Sequence, residues 1–306
     1  ARERLSEAED GELVYKLGIV FGDEDLKERG AGKISATREL RDVLAIAKKY
    51  GDRKLAGMAV LKAVDGIKEG SHMGLGNYQL AVEGMEYCND TGLLRDVAAR
   101  ALESGREDKY KLSLAFEAAM LGGYSGFANT AAKGLAVHYP GIGVELGKKH
   151  GHNRLIAMSG KTALEEGELY LANDAVKASK DDHLAALVAG AALKRRDQEP
   201  IAYESALIAG NLELLDDARR AFRKRNPIMA IDSGIEHNDY VGVRDAGWRL
   251  YRRMLWLIDR KYPGDVKAIL TAAEFAKDGK LYRKAKKWSK TGEQPVEQDE
   301  GSNPVS

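Results

Sequence analysis

The feature that most constrains this chain is internal repetition. A helix-forming segment, a short turn of Gly, Asp or Asn, and a second helix-forming segment recur, as in AIAKKYGDRKLAGMAVLKAV, GMEYCNDTGLLRDVAARAL and ELGKKHGHNRLIAMSGKTAL. The apolar residue just after each turn serves as an anchor. The anchors are Leu55, Leu93, Phe127, Leu155, Leu184 and Leu214, separated by 38, 34, 28, 29 and 30 residues. Four residues past each anchor stand Ala59, Val97, Ala131, Ser159, Val188 and Ala218, and eight past stand Ala63, Ala101, Leu135, Ala163, Ala192 and Phe222. Steps of four keep such residues on one helix face. Before the turns stand Ala47, Met85, Ala118, Gly147, Val176 and Ala206, mostly small, as close crossing of antiparallel helices requires. A weaker copy at the start has Gly22-Asp23 as its turn and Leu26 as its anchor. A late copy has Gly264-Asp265 as its turn and Ala268, Ala272 and Ala276 as its ladder. Atypical end units are expected of a stack that must be capped.

One helical pair cannot bury its own apolar face, so neighbouring pairs must share a core. The repeat therefore predicts an all-α fold, an α-solenoid of about six to eight stacked antiparallel helical hairpins of roughly 30–38 residues each. Composition agrees: aromatic residues are only 7%, and straight-chain residues, which lose little rotamer freedom in a helix, dominate. Pro140, Pro200, Pro227 and Pro263 stand just before apolar-periodic segments, where a missing N–H costs nothing. The expected organisation is a capping unit over 1–34, the solenoid over 35–226, a basic helical cap over 227–290 and a disordered acidic tail over 291–306. The small residues at the crossings and the helix–turn–helix unit resemble the tetratricopeptide-like superfamily over roughly 10–280. The Trp-x-x-Leu-Gly-x-x-Tyr signature of that superfamily does not recur. The resemblance is one of architecture, implies a binding scaffold and transfers no functional residue.

Charge narrows the functional classes. Lys and Arg number 48 and Asp and Glu 47, for a net charge of +1. This excludes a uniformly basic nucleic-acid coat or an acidic solvating chain. One cysteine, Cys88, excludes an internal disulfide framework and a Cys-rich zinc module. The opening ARERLSEAEDGELVY lacks the apolar core of a signal peptide. The longest near-apolar run, Leu184 to Leu193, has ten residues, against roughly 18 or more for a membrane span. A cytoplasmic protein with no membrane partner is expected.

The charge is unevenly placed. Residues 244–290 hold 14 Lys and Arg against five Asp and Glu, whereas 291–306 hold four acids and no base. All three tryptophans, Trp248, Trp256 and Trp288, fall in the basic stretch. A helix from about 238 to 262 would carry Trp248, Tyr251, Leu255 and Tyr262 on one stripe, with Arg249, Arg252, Arg253 and Arg260 elsewhere on it. The last helical segment adds Arg283, Lys284, Lys286, Lys287, Trp288 and Lys290. Cations neutralise phosphates and aromatics stack on unpaired bases. These residues are the candidate site for an anionic partner, RNA or an acidic protein surface. The competing reading is a core stripe of aromatics under a solvating basic face.

No catalytic signature is present: GxSxG, HExxH and CxxC are all missing. His150 and His152 fall in a repeat turn and read as exposed turn residues, and Gly141-Ile-Gly143 follows no strand, so it reads as a helix start. Asp181-Asp182 and Asp216-Asp217 occupy first turns of helices, where carboxylates meet the positive helix end. No catalytic residue, metal or cofactor is expected. The functional expectation is a non-enzymatic scaffold that binds a protein or peptide in its groove. An RNA-binding repeat protein and an all-α enzyme with an unmarked site are the alternatives.

Overall fold

The computed structural model describes residues 10–67, 72–105, 107–256 and 263–292. Among these every regular element is an α-helix. The helices in chain order are α1 (Gly11–Phe21), α2 (Glu24–Thr37), α3 (Leu40–Tyr50), α4 (Arg53–Asp65), α5 (His72–Cys88), α6 (Thr91–Ser104), α7 (Lys109–Gly122), α8 (Ser125–His138), α9 (Pro140–His150), α10 (Asn153–Glu165) and α11 (Leu169–Ser179). They continue as α12 (Asp182–Leu193), α13 (Glu199–Ala209), α14 (Leu212–Arg225), α15 (Pro227–Glu236), α16 (Tyr240–Trp256), α17 (Pro263–Phe275) and α18 (Gly279–Gly292). The chain divides into two compact units, Ala1–Ser179 and Lys180–Ser306. Within each, a helix packs against its chain neighbours and against the helix two places along, the stacking of an all-α solenoid.

One local device recurs. Each odd-numbered helix ends on a residue in the left-handed region: Gly22, Gly51, Gly123, Gly151 and Gly210, and in four places Asn89, Lys180, Asn238 or Lys277. The following residue is the N-cap of the next helix. In unit 1, Asp52 Oδ1 accepts from the Lys54 and Leu55 amides, Asp90 Oδ1 from Leu93 and His152 Nδ1 from Leu155. In unit 2, Asp181 accepts from Leu184, Asn211 from Leu214 and Asp278 from Leu281. The sequence anchors are therefore the third residues of their helices, and the caps satisfy their amides everywhere but at Phe127, whose N-cap Tyr124 makes no side-chain cap bond. Behind them the two ladders, Ala59 to Ala218 and Ala63 to Phe222, are buried throughout.

The same joint explains the small residues at the crossings. At six of these joints the N–H of the cap residue also bonds back to a carbonyl five residues earlier. Asp23 reaches Gly18, Asp52 reaches Ala47, Tyr124 reaches Ala119, His152 reaches Gly147, Asp239 reaches Gly234 and Asp278 reaches Ala273. All six acceptors are Gly or Ala, because the returning helix runs directly over them. A Cβ on Gly18 would lie 2.4 Å from the Lys27 backbone nitrogen.

Two sequence expectations are corrected. Gly264-Asp265 is not a turn between helices; it lies in the first turn of α17, just after Pro263. The joint of that last pair is Lys277-Asp278, which carries no glycine. His150 is not an exposed turn residue either: its ring lies edge-on to Phe116 with centres 5.8 Å apart, and 14% of its side chain is exposed.

The first hairpin gives a sharp test of the crossing rule. A Cβ on Gly30 of α2 would meet the Tyr15 backbone nitrogen at 2.4 Å, whereas one on Gly32 meets nothing within 4 Å. Gly30→Ala should destabilise by about 1–3 kcal/mol through overpacking. Gly32→Ala should stabilise by up to about 1 kcal/mol through helix propensity. Urea unfolding of the two variants reads the opposite signs; equal effects would contradict the close approach.

Candidate anion-binding cleft on the C-terminal unit

α16 is fixed at its start by a buried carboxylate. Asp239 caps the helix by accepting from the Gly242 amide at 3.0 Å. It also accepts from the Tyr203 hydroxyl at 2.7 Å and from Arg219, Nε at 2.8 Å and Nη2 at 2.6 Å. Burial pushes this carboxyl up, but the Arg219 guanidinium, the Gly242 amide and the Tyr203 hydroxyl outweigh it and hold it below the usual carboxylate range. From that cap, Val243, Ala246, Leu250 and Met254 form the buried face of α16. The opposite face must then carry Arg249, Arg252 and Arg253 outward, and all three are exposed.

The far side of α16 holds α18. The Trp248 indole N–H donates to Asp278 Oδ2 at 2.8 Å, and Asp278 also caps α18 through the Lys280 and Leu281 amides. The Trp288 ring stacks on Tyr251 with centres 4.3 Å apart and planes 14° from parallel. Lys284 Nζ lies 5.7 Å from the Trp248 ring centre and 5.3 Å from that of Tyr251, so its cation also serves this seam.

A cleft of about 630 Å³ opens beside α16, lined by Arg223, Lys224, Pro227, Asp245, Trp248, Arg249, Arg252 and Arg253. Four of the sequence candidates thus converge: Trp248, Arg249, Arg252 and Arg253. Two cations join them that the sequence analysis did not single out. Arg223 and Lys224 come from the last turn of α14, where basic residues complement the negative helix end. Asn226 and Pro227 then turn the chain into α15, Asn226 capping it by accepting from the Met229 amide. The only clue in sequence was the run RRAFRKR directly before Asn226-Pro227.

The cations of the cleft are not equivalent. Arg223 pairs with Asp245 at 2.6 Å. Lys224, Arg249, Arg252 and Arg253 have no ion-pair partner among the described residues. Arg225, next in the α14 series, turns away to Glu199 at 2.7 Å. Arg283, Lys284, Lys286, Lys287 and Trp288 lie on α18 and none lines the cleft. Arg260, Tyr262 and the side chains of Trp256 and Lys290 lie outside the described residues.

A second cluster of titratable groups sits in unit 1. Glu117 of α7, its side chain 2% exposed, meets Lys149 Nζ at 2.6 Å and His150 Nε2 at 3.8 Å. Burial pushes the His150 imidazole down, with the Glu117 charge opposing. Among the described residues no three His, Cys, Asp or Glu side chains are grouped to hold a metal ion, and no helix is long and apolar enough to cross a membrane. Cys88 is buried, which pushes its thiol up.

No protein-family model matches the chain, and no curated protein sequence matches it. Among solved structures it is similar to a circular tandem repeat protein with novel repeat topology and enhanced subunit contact surfaces. Identity is 15% over 92% of this chain and 69% of that one, with a TM-score of 0.18, a superposition too poor to bear on the site.

The Asp239 network sets an acid limit for unit 2. Its carboxyl titrates lower folded than unfolded, so its contribution is present above about pH 4 and is lost as pH falls through the folded value. Asp239→Asn should cost about 2–4 kcal/mol near pH 7 by leaving Arg219 underpaired. That cost should shrink towards pH 3. Thermal unfolding of both proteins from pH 7 to 3 checks this; a constant gap would contradict it.

Proposed function

We propose that this chain is a non-catalytic binding protein: a helical-repeat scaffold whose C-terminal unit presents an arginine-lined cleft to an anionic partner. The carrying observation is the set of four cations in one cleft that have no ion-pair partner among the described residues. Elsewhere in this unit, cations that shape the fold are paired, as Arg219 is with Asp239 and Arg225 with Glu199. Holding like charges together without partners costs self-repulsion, which an anionic ligand removes. Residues 227–290 supply most of this surface, and the repeat helices position it.

RNA and an acidic protein surface are the two partner classes for this cleft. Both binding modes weaken with salt, and the RNA one does so through counterion release. Trp248 and Trp288 already serve the seam between α16 and α18. Charge, rather than base stacking, therefore carries the proposed affinity.

Fluorescence anisotropy with a labelled single-stranded RNA and a labelled polyglutamate peptide tests this reading. At least one should bind the wild type at low salt. Arg249→Ala/Arg252→Ala/Arg253→Ala should weaken that binding more than tenfold. With RNA it should also flatten the salt slope by about 2, given roughly 0.7 per phosphate contact on a single strand. Failure of both probes and of inorganic polyphosphate to bind, or an unchanged affinity and slope in the variant, would overturn the proposal.

A further inference from the structure

Resting on the reading of the cleft as an anion site, we infer that the group it recognises is a phosphate cluster: a ligand bearing two or more adjacent phosphate groups. The first ground is how the cations are arranged. Arg249, Arg252 and Arg253 are spaced i, i+3 and i+4 on α16, which places their Cα atoms within about 6 Å along the axis. Lys224 approaches from another helix, at the end of α14, and lines the same cleft. The cations of α18 do not line it. Convergence from two helices on one bounded space suits a compact ligand. A polymer backbone asks instead for cations laid along a track.

The second ground is charge density. A carboxylate brings one negative charge, so four such cations would need four carboxylates in a cleft of about 630 Å³. A phosphate monoester carries about −1.5 to −2 and three acceptor oxygens, so two phosphates match the same four cations. That volume lies within the range of small-molecule sites, about 300–1,000 Å³. The third ground is donor type. Three of the four free cations are arginines, whose planar forks bind phosphate oxygens in pairs. Asp245 does not compete with the ligand for these arginines, because Arg223 holds it at 2.6 Å and Arg244 lies 3.6 Å from it.

Isothermal titration of the full chain near physiological salt, with inorganic tripolyphosphate and with citrate, separates phosphate recognition from charge alone. Tripolyphosphate should bind at one site, at least tenfold more tightly than citrate. Arg249→Ala/Arg252→Ala/Arg253→Ala should weaken it at least tenfold, and Lys284→Ala/Lys286→Ala/Lys287→Ala less than twofold. The single charge reversal Arg252→Glu repeats the test with one exposed change, should the triple variant not fold. Sedimentation with vesicles containing a bisphosphorylated phosphoinositide identifies the source. Tighter retention than free tripolyphosphate assigns the site to a lipid headgroup, and weaker or equal retention to a soluble polyphosphate; both support the inference. Equal affinity for citrate would overturn it. Absent tripolyphosphate binding with RNA or polyglutamate binding intact would overturn it while leaving the broader reading standing. Loss of all of these would overturn both.

Discussion

Everything in this structure depends on a two-residue joint: one residue in the left-handed region, then a helix N-cap. The first residue reverses the chain, and the second satisfies the orphan amides of the next helix. Each side-chain cap is worth about 1 kcal/mol, so the joint is favourable locally before any tertiary contact forms. Its back-bond to a carbonyl five residues earlier fixes how closely the two helices cross. That closeness demands Gly or Ala at Gly18, Ala47, Ala119, Gly147, Gly234 and Ala273. The buried ladders then follow, because a capped third residue sets the phase of its helix face.

Much of this was legible in sequence because it is local. Leu55, Leu93, Leu155, Leu184 and Leu214 could be read as anchors, since their spacing from the turn is fixed by the cap hydrogen bond. The joints at Asn238-Asp239 and Lys277-Asp278 were harder. Lys277 is an unusual residue for a left-handed position, while Asn238, a usual one, stands at the start of the stretch read from its period as one helix over about 238–262. Gly264-Asp265 misled for the converse reason: with Pro263 before it, a Gly-Asp pair starts a helix as readily as it joins two. The candidate site was half legible. Helical period alone predicted an outward row of Arg249, Arg252 and Arg253. Arg223 and Lys224 escaped because their approach to that row passes through the Asn226-Pro227 turn and is tertiary. The local role of Trp288 was also hidden, since its partner Tyr251 stands 37 positions away.

The two kinds of charge in the C-terminal unit make the contrast that gives the cleft its interest. Asp239, Arg219 and Tyr203 form a satisfied buried network, where desolvation demands a partner for every charge. Lys224, Arg249, Arg252 and Arg253 are exposed, and water meets their hydration at little cost. Nothing in helix packing calls for three arginines on one turn; the proposed binding role supplies a reason that the fold does not.

Hydrogen-exchange mass spectrometry of the full chain, with and without saturating tripolyphosphate, addresses the proposed cleft most directly. Anion binding there predicts added protection in peptides spanning 219–229 and 244–256, with the hairpins of unit 1 unchanged. Protection confined to other segments, or none at saturation, would contradict the placement of the anion site on α14 and α16.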